Sequence, residues 1–259
     1  MPPKEQKPKE QKPKKKSPPR VLKVKDEEPN SKFDDIHENL PDMPSLCLVI
    51  GSVRSGKSNL LVNMFCNEEF YKDKFDIVRI ISTTMHTDHK GKILAKHFDC
   101  SDHYEDSMID DIKRSQSEYE DKSERPTYAL VMDDVLTKDF KKSNQVSFFA
   151  TRFRHYIDFY IIAVQSFRAV SGMIRNNCTD VIVCKQQNSK ELLKIAEEYG
   201  DMVGGEKNFL KLYDEAHKER FSFLYLKLSE NPAKSFVRFE RQIWPPLNDN
   251  GEEEEQLEV

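Results

Sequence analysis

Long hydrophobic runs are missing from this chain of 259 residues. Its longest apolar stretches reach about six residues, whereas a helix that crosses a bilayer needs roughly 20. The first residues are polar and do not form the apolar segment of a secretion signal. We therefore expect a protein without a membrane span that is not secreted through a cleaved signal.

Paired cysteine motifs are absent as well. The five cysteines include no CxxC pair. Cys47 and Cys184 lie inside apolar stretches, where a free cysteine behaves as a small hydrophobic residue. This pattern indicates a reduced protein in the interior of a cell.

Clustered positive charge is scarce outside the amino terminus. The formal net charge of −4 hides ten Lys or Arg among residues 1–25 and six carboxylates among the last twelve residues. The body between these ends is mildly acidic. A general nucleic-acid-binding surface is thereby excluded, because phosphate contacts need clustered Lys and Arg. Any contact with DNA must come from local loops or from the basic tail.

The two ends have the composition of disordered tails. Residues 1–25 repeat a Lys-Glu-Gln-Lys-Pro unit and hold six of the thirteen prolines, so they cannot bury enough apolar surface to offset their ordering entropy. We predict a disordered basic tail over residues 1–30, one α/β domain over 31–247 and a disordered acidic tail over 248–259. The basic tail is either merely solvated or an arm that contacts DNA or another acidic surface.

Short apolar runs alternate with longer helical stretches between the tails, which is typical of a mostly parallel sheet flanked by helices. Strands are predicted at residues 46–50, 77–82, 128–133, 159–165 and 180–184. Helices are predicted after Lys57 and over residues 107–120, 144–154 and 190–199. Two late β-rich runs, 221–228 and 235–243, predict an antiparallel hairpin at the sheet edge.

A phosphate-binding motif follows the first predicted strand. Residues 51–58 match GxxxxGK[ST] at every fixed position and open a helical stretch, which is the context of a P-loop. Its glycines let backbone N–H groups face the phosphates of ATP, Lys57 would reach the β- and γ-phosphates, and Ser58 would offer a hydroxyl to Mg²⁺. The predicted nucleotide-binding residues are Gly51, Ser52, Val53, Arg54, Ser55, Gly56, Lys57, Ser58 and Asn59.

Two adjacent carboxylates end the predicted strand over residues 128–133. Asp133 would hold Mg²⁺ through water, and Asp134 would orient and deprotonate the attacking water. Such a pair can also simply begin a loop, and the P-loop upstream is what favours the catalytic interpretation. Together the two motifs predict a P-loop NTPase that binds and hydrolyses ATP.

Gln165 ends the strand that begins at Phe159. In an open parallel sheet this is the edge where ligands bind, so Gln165 could hydrogen-bond the γ-phosphate or the attacking water, or merely cap the strand. Arginine suits the transition state of phosphoryl transfer because its charge is permanent. Four arginines flank this strand: Arg152, Arg154, Arg168 and Arg175. If one acts on a neighbouring subunit, hydrolysis requires a ring.

The spacing of these elements resembles the FtsK/HerA superfamily of ring-forming, DNA-pumping ATPases with a RecA-like (ASCE) core. In that family an arginine precedes a strand ending in Ala-Thr-Gln, as Arg154 here precedes Ala163-Val164-Gln165. The resemblance implies that Arg154 is a trans-acting catalytic arginine, that Gln165 is a sensor, and that the chain forms a homo-oligomeric ring, a hexamer or pentamer.

Within the superfamily, the short chain, the Asp-Asp pair and the run of residues 152–155 resemble genome-packaging ATPases of large eukaryotic DNA viruses of the poxvirus type and their virophage and polinton-like relatives. The match covers residues 44–184. It implies a motor that moves viral double-stranded DNA into a capsid, with capsid or portal-vertex proteins as partners. The expected location is the host cytoplasm, a viral factory or the virion.

Other interpretations stay open. A cellular DNA-processing ATPase of the same superfamily would be expected to carry an added domain. A nucleotide-binding switch would hydrolyse slowly and ignore DNA; the NKxD motif of GTPases and the LSGGQ signature of transporters are absent, which weakens it. One further group, His86, His89, His97, Cys100 and His103, has spacings that zinc ligands can adopt, or belongs to a polar insertion after the second strand.

Overall fold

The computed structural model describes residues 30–121, 123–135 and 144–246. Apart from residue 30, the two tails predicted at the ends of the chain lie outside the described residues. Nine strands form one sheet in the described part: β1 Ser45–Ile50, β2 Ile77–Ser82, β3 Asp99–Ser101, β4 Tyr128–Asp133, β5 Phe159–Val164, β6 Asp180–Cys184, β7 Phe223–Lys227, β8 Lys234–Val237 and β9 Arg241–Trp244.

The strand order is β3-β2-β4-β5-β1-β6-β7-β8-β9. The first six of these pair in parallel, and β7, β8 and β9 continue the sheet as antiparallel neighbours. This confirms the predicted fold class, a mostly parallel sheet with an antiparallel region at its carboxyl-terminal end. All carboxyl ends of the parallel strands meet at one edge, which we call the carboxyl edge.

The helices lie between the strands in sequence. Within the described ranges they are α1 Lys57–Cys66, α2 His89–Leu94, α3 Asp106–Ser117, α4 Asn144–Ala150, α5 Gly172–Arg175, α6 Ser189–Tyr199 and α7 Glu206–Ala216. None of them is long and apolar enough to cross a bilayer.

The core has two halves because alternate strand residues point to opposite faces. In β1, Leu46 and Leu48 pack into one buried cluster, while Cys47 and Val49 pack into the other. Every residue of β1, β4 and β5 is buried. Parallel strands that are covered on both faces have continuous apolar sequences. The predicted bounds of these three strands therefore agree with the observed bounds to within one residue.

Edge elements were harder to predict. The stretch interpreted as a polar insertion after β2 contains α2 and β3, two elements that the sequence did not predict. Only Gly91 and Leu94 of α2 are buried, and β3 is a three-residue edge strand, so neither element carries a clear apolar period. Helix α7 was not predicted, although it buries Phe209, Leu212 and Tyr213 on one face.

The late hairpin is confirmed, but its second run forms two strands. Residues 238–240 make a turn between β8 and β9 in which Arg238 has a φ of 54°. The Phe239 ring turns into the core, 5.2 Å from the Phe223 ring and 4.9 Å from the Tyr225 ring. The alternating sequence pattern hides this turn because Phe239 is apolar at a position that does not belong to a strand.

A buried carboxylate joins three strands at the amino edge of the sheet. Asp180, the first residue of β6, accepts hydrogen bonds from the hydroxyls of Ser45 (2.7 Å), Thr179 (2.7 Å) and Tyr225 (2.6 Å). Burial raises the pKa of Asp180, and these three donors oppose the rise. The cluster fixes the alignment of β1, β6 and β7.

Candidate nucleotide-binding and catalytic site

The P-loop, residues 51–56, joins β1 to α1 at the carboxyl edge. Gly56 has a φ of 109° and Arg54 a φ of 62°, in the left-handed region that most residues avoid. A Cβ at Gly51 would lie 2.4 Å from Ser55 Oγ and 2.6 Å from Cys184 Cβ. Glycine at position 51 therefore lets the loop close against the end of β6.

Lys57, the first residue of α1, is turned into the loop. Its side chain is buried, and its Nζ donates to the carbonyl oxygens of Gly51 (2.6 Å) and Ser52 (3.3 Å). Its charge lowers the pKa of Asp133, although burial of that carboxyl has the larger, opposite effect. The ammonium group thus binds the loop backbone and acts electrostatically on the carboxylate at the end of β4.

Asp133 is a buried carboxylate with one side-chain hydrogen-bond donor among the described residues. It is the last residue of β4, and Ser82 at the end of neighbouring β2 donates a hydroxyl to it at 3.1 Å. Burial raises the pKa of Asp133 to about 6, and the charges of Asp134 and Asp88 act in the same direction. A carboxylate in this environment gains from a bound cation, which replaces the solvation that burial removed.

Asp134 and Gln165 are neighbours because β4 and β5 pair in parallel. Each is the first residue after its strand, and Gln165 Nε2 donates to Asp134 Oδ2. Asp134 adopts a φ of 58° and donates its backbone N–H to Ala163 O at 3.0 Å. The left-handed turn directs the Asp134 carboxylate along the edge of the sheet toward Gln165.

These groups line one cleft of about 600 Å³, which contains the predicted residues Val53, Arg54, Ser55, Gly56, Lys57, Ser58, Asp133, Asp134 and Gln165. Of the other predicted residues, Ser52 accepts the N–H of Gln187 through its hydroxyl at 2.9 Å, and Asn59 lines the adjoining cavity. The hydroxyl of Ser55 is buried beside the Cys184 thiol and makes no regular hydrogen bond to a described residue.

Sequence reasoning missed part of the cleft. The segment after β2 contributes Thr84, Thr87, Asp88 and Lys90, and the segment before β7 contributes Arg220 and Phe221. Neither segment carries a recognisable motif. Only the course of the chain brings them to the P-loop, so nothing in the local sequence could have identified them.

Arg154 lies away from this cleft. It belongs to a 3-10 turn, Phe153–His155, that precedes β5, whereas Gln165 follows β5. Since a six-residue strand extends roughly 17 Å, Arg154 is near the opposite edge from the P-loop of its own chain. Its side chain is exposed, with no ion pair to a described residue.

The other flanking arginines differ in their contacts. Arg175 pairs with Glu198 at 3.0 Å and stacks 4.9 Å from the centre of the Phe167 ring. Arg168 pairs with Glu191 at 3.5 Å, while Arg152 is exposed. Arg175 and Arg168 are therefore engaged within their own chain.

The histidine-rich segment between β2 and α3 was the one alternative metal site. His103 contacts Asp102 at 2.8 Å, and His86 is exposed. In the part of the chain that the structure describes, no three or more His, Cys, Asp or Glu residues are grouped so that they could hold a metal ion.

The sequence is similar to a viral protein at low identity. No family model matches the sequence. The uncharacterized protein 088R of Invertebrate iridescent virus 3 is 24% identical over 187 residues, which cover 70% of this chain and 69% of that protein.

Two similar solved structures are packaging proteins. The genome packaging NTPase B204 from Sulfolobus turreted icosahedral virus 2, in complex with sulfate, has a TM-score of 0.53 and 12% identity, covering 75% of this chain and 96% of B204. The DNA-packaging ATPase B204 from Sulfolobus turreted icosahedral virus has a TM-score of 0.51 and 16% identity, covering 75% of this chain and 98% of its own. The chain therefore shares the α/β P-loop fold of these viral NTPases.

Proposed function

We propose that the chain is an ATP-hydrolysing motor that moves double-stranded DNA and packages a viral genome into a capsid. This proposal rests on one observation. The side chains of Lys57, Asp133, Asp134 and Gln165 line the same cleft. The fold that holds them also spans 96% of a viral packaging NTPase. Low identity limits that comparison to the fold, so the function rests on the site.

Nucleotide binding uses the P-loop and the residues beside it. Lys57 exchanges the carbonyl oxygens of Gly51 and Ser52 for oxygens of the β- and γ-phosphates, while loop N–H groups face the same anion. Ser58 and Asp133 would hold Mg²⁺, and their fit follows from the buried Asp133 carboxylate, which has one hydroxyl donor and a pKa raised by burial. When bound, Mg²⁺ neutralises phosphate charge and orients the phosphates.

Hydrolysis needs a water held in line with the γ-phosphate. Asp134 accepts a proton from this water, and the Gln165 amide, which donates to Asp134, keeps the carboxylate aimed along the cleft. Gln165 lies at the cleft surface and also contacts the γ-phosphate or the water. Gln165 therefore couples the presence of the γ-phosphate to β5, the strand that it directly follows.

Arg154 completes the site of a neighbouring subunit. Its position at the amino edge supports a role in trans, because an exposed arginine there lies away from the P-loop of its own chain. A homo-oligomeric ring, a hexamer or pentamer, would place each Arg154 beside the next cleft. The motor acts in the host cytoplasm or viral factory and meets capsid or portal-vertex proteins.

Steady-state ATP hydrolysis with and without long double-stranded DNA, at low and moderate salt, tests the proposal. We expect stimulation by DNA that fades as salt rises, because phosphate contacts release counterions. Lys57→Ala, which lacks the phosphate-binding ammonium, controls for contaminating ATPases. Hydrolysis that ignores DNA at every salt concentration would contradict the motor and favour the switch. A DNA-stimulated enzyme that fails to associate with capsid proteins would favour the cellular alternative.

A further inference from the structure

A second cavity, of about 880 Å³, adjoins the phosphate cleft. The two share Ser55, Gly56, Arg220 and Phe221 as a common wall. The second cavity extends from the P-loop along one face of α1, where Asn59 and Asn63 line it. Its volume lies in the range of small-molecule sites, and its direction leads away from the position of the phosphates.

The walls of this cavity combine aromatic and amide side chains. Phe70, Phe223 and Phe239 provide apolar surface, and the Phe239 ring packs against the other two. Asn63 donates its amide N–H to the carbonyl of Asn59 at 2.8 Å, which leaves the Asn63 amide oxygen for another partner. Apolar walls with a few polar groups are typical of a site for a small organic ring system.

Phe221 stands at the junction of the two cavities in an unusual conformation. Its residue is 58% exposed and its φ is 64°, a left-handed backbone that is rare for a bulky side chain. Phe221 Cβ lies 3.8 Å from the place that a Cβ on Gly56 would occupy, so the ring stands beside the P-loop. Strain of this kind persists where the surrounding structure imposes it, and it occurs often at ligand sites.

Arg220 adds a cation at the same junction. Its guanidinium carbon lies 4.6 Å from the centre of the Phe221 ring. The residue is still more than half exposed, so this contact leaves much of the ring open. A ring that is open to solvent, beside an anion-binding loop and next to a guanidinium group, can stack on a second aromatic ring.

We propose that Phe221 is the stacking platform for the base of the nucleotide whose phosphates the P-loop binds, and that the second cavity holds its nucleoside. The inference rests on the proposed function, since it assumes a nucleotide in the P-loop. With the phosphates at Lys57, the rest of the nucleotide must occupy contiguous space, and Phe221 separates the phosphate cleft from the cavity along α1.

Stacking also sets an expectation for base specificity. Phenylalanine presents a π-face but no hydrogen-bonding group to a base edge, and every base has a π-face. The contribution of Phe221 should therefore be similar for ATP and GTP. Tripolyphosphate, which has the phosphates but no base, should not depend on Phe221.

Equilibrium binding of ATP, GTP and inorganic tripolyphosphate, each with Mg²⁺, tests the assignment in the full-length protein. For Phe221→Ala we expect a Kd at least about tenfold higher for both nucleotides and unchanged for tripolyphosphate. Phe221→Trp should retain nucleotide affinity because it restores a π-face. Phe148→Ala is the matched control, since Phe148 is similarly exposed (52%) on α4 and does not line either cavity.

Fluorescence gives a second readout. The chain has one tryptophan, Trp244, so Phe221→Trp adds one reporter to a known background. Its emission should change with ATP and not with tripolyphosphate. The inference is overturned if Phe221→Ala binds ATP within twofold of the wild type, or if it loses tripolyphosphate affinity by the same factor, which would mean that Phe221 only supports the P-loop. A wild-type protein that binds none of the three ligands would overturn the proposed function itself.

Discussion

Two buried aspartates at opposite edges of the same sheet have very different surroundings. Asp180 begins β6 at the amino edge and receives hydroxyl hydrogen bonds from Ser45, Thr179 and Tyr225. Asp133 ends β4 at the carboxyl edge, receives one hydroxyl bond from Ser82, and faces an open cleft. Burial raises the pKa of both carboxyls.

The difference separates a structural group from a ligand-binding group. A buried polar group that is fully hydrogen-bonded contributes to a unique packing, whereas one with few partners is costly unless a ligand completes it. Side chains of the protein itself supply the hydrogen bonds that the buried Asp180 carboxylate accepts. Asp133 accepts one side-chain hydrogen bond from the described residues. We therefore expect substitutions at the two edges to affect different measurements.

The largest expected effect is the loss of ATP hydrolysis in the Arg154→Ala variant. This arginine shares the amino edge with Asp180 but is exposed, so its loss should leave ATP binding and the fold intact while hydrolysis falls roughly 10⁴-fold, as for other trans-acting arginines. Mixing it with inactive Asp134→Asn subunits should restore part of the activity, because some interfaces then combine an intact Asp134 with an intact Arg154. Mixtures as inactive as their components would contradict action in trans.

The next effect is that of Asp134→Asn alone. Removing the base should reduce hydrolysis roughly 10³-fold while ATP binding remains, because proton acceptance contributes about that factor. A single-turnover measurement with bound ATP separates the chemical step from binding. The thermal unfolding temperature should hardly change, since Asp134 is only partly buried. Full activity in this variant would contradict the assignment of Asp134 as the catalytic base.

At the amino edge, Asp180→Ala should instead reduce stability. The variant leaves three hydroxyls, two of them on buried residues, without their shared acceptor. We expect the free energy of unfolding to fall by about 3 kcal/mol. Urea denaturation measures this loss. Ser45→Ala removes one donor only and should cost about 1 kcal/mol. If Asp180→Ala were as stable as the wild type, the cluster would not hold β1, β6 and β7 together.

The last expected effect concerns the pH dependence of stability and Asp133. The folded pKa of about 6 exceeds the ordinary value of 3.8, so the protonated carboxyl stabilises the metal-free fold at low pH. This contribution is fully present below pH 3.8 and is lost as pH rises through about 6. Across that window the wild type should lose about 2 kcal/mol of stability that Asp133→Asn does not lose.

Thermal unfolding of both proteins between pH 4 and 7, without divalent cations, checks this difference. Added Mg²⁺ with nucleotide should restore the stability of the wild type above pH 6 and have less effect on Asp133→Asn. Parallel pH profiles for the two proteins would show that Asp133 does not titrate in this range.

The sequence located the P-loop between β1 and α1 because the parts of this motif are contiguous. A P-loop needs particular residues at fixed positions, as Gly51 and Lys57 illustrate, and buried parallel strands appear as apolar runs. The segments that contribute Asp88 and Phe221 could not be predicted, since the topology of the sheet alone brings them to the cleft. The sequence singled out Asp133 by its place at the end of an apolar strand. The buried hydrogen-bond cluster of Asp180 could not be predicted, because Ser45 and Tyr225, two of its three hydroxyl partners, are distant along the chain.

The reversed direction of β7 has one more consequence. A parallel strand delivers the residues after it to the carboxyl edge, but an antiparallel strand delivers the residues before it. Since Phe223 pairs with Cys184, the short segment ahead of β7 arrives beside the P-loop without any long connection. Substitutions in residues 217–222 therefore change the part of the cleft wall that Arg220 and Phe221 form, while the six parallel strands keep the candidate catalytic residues in place.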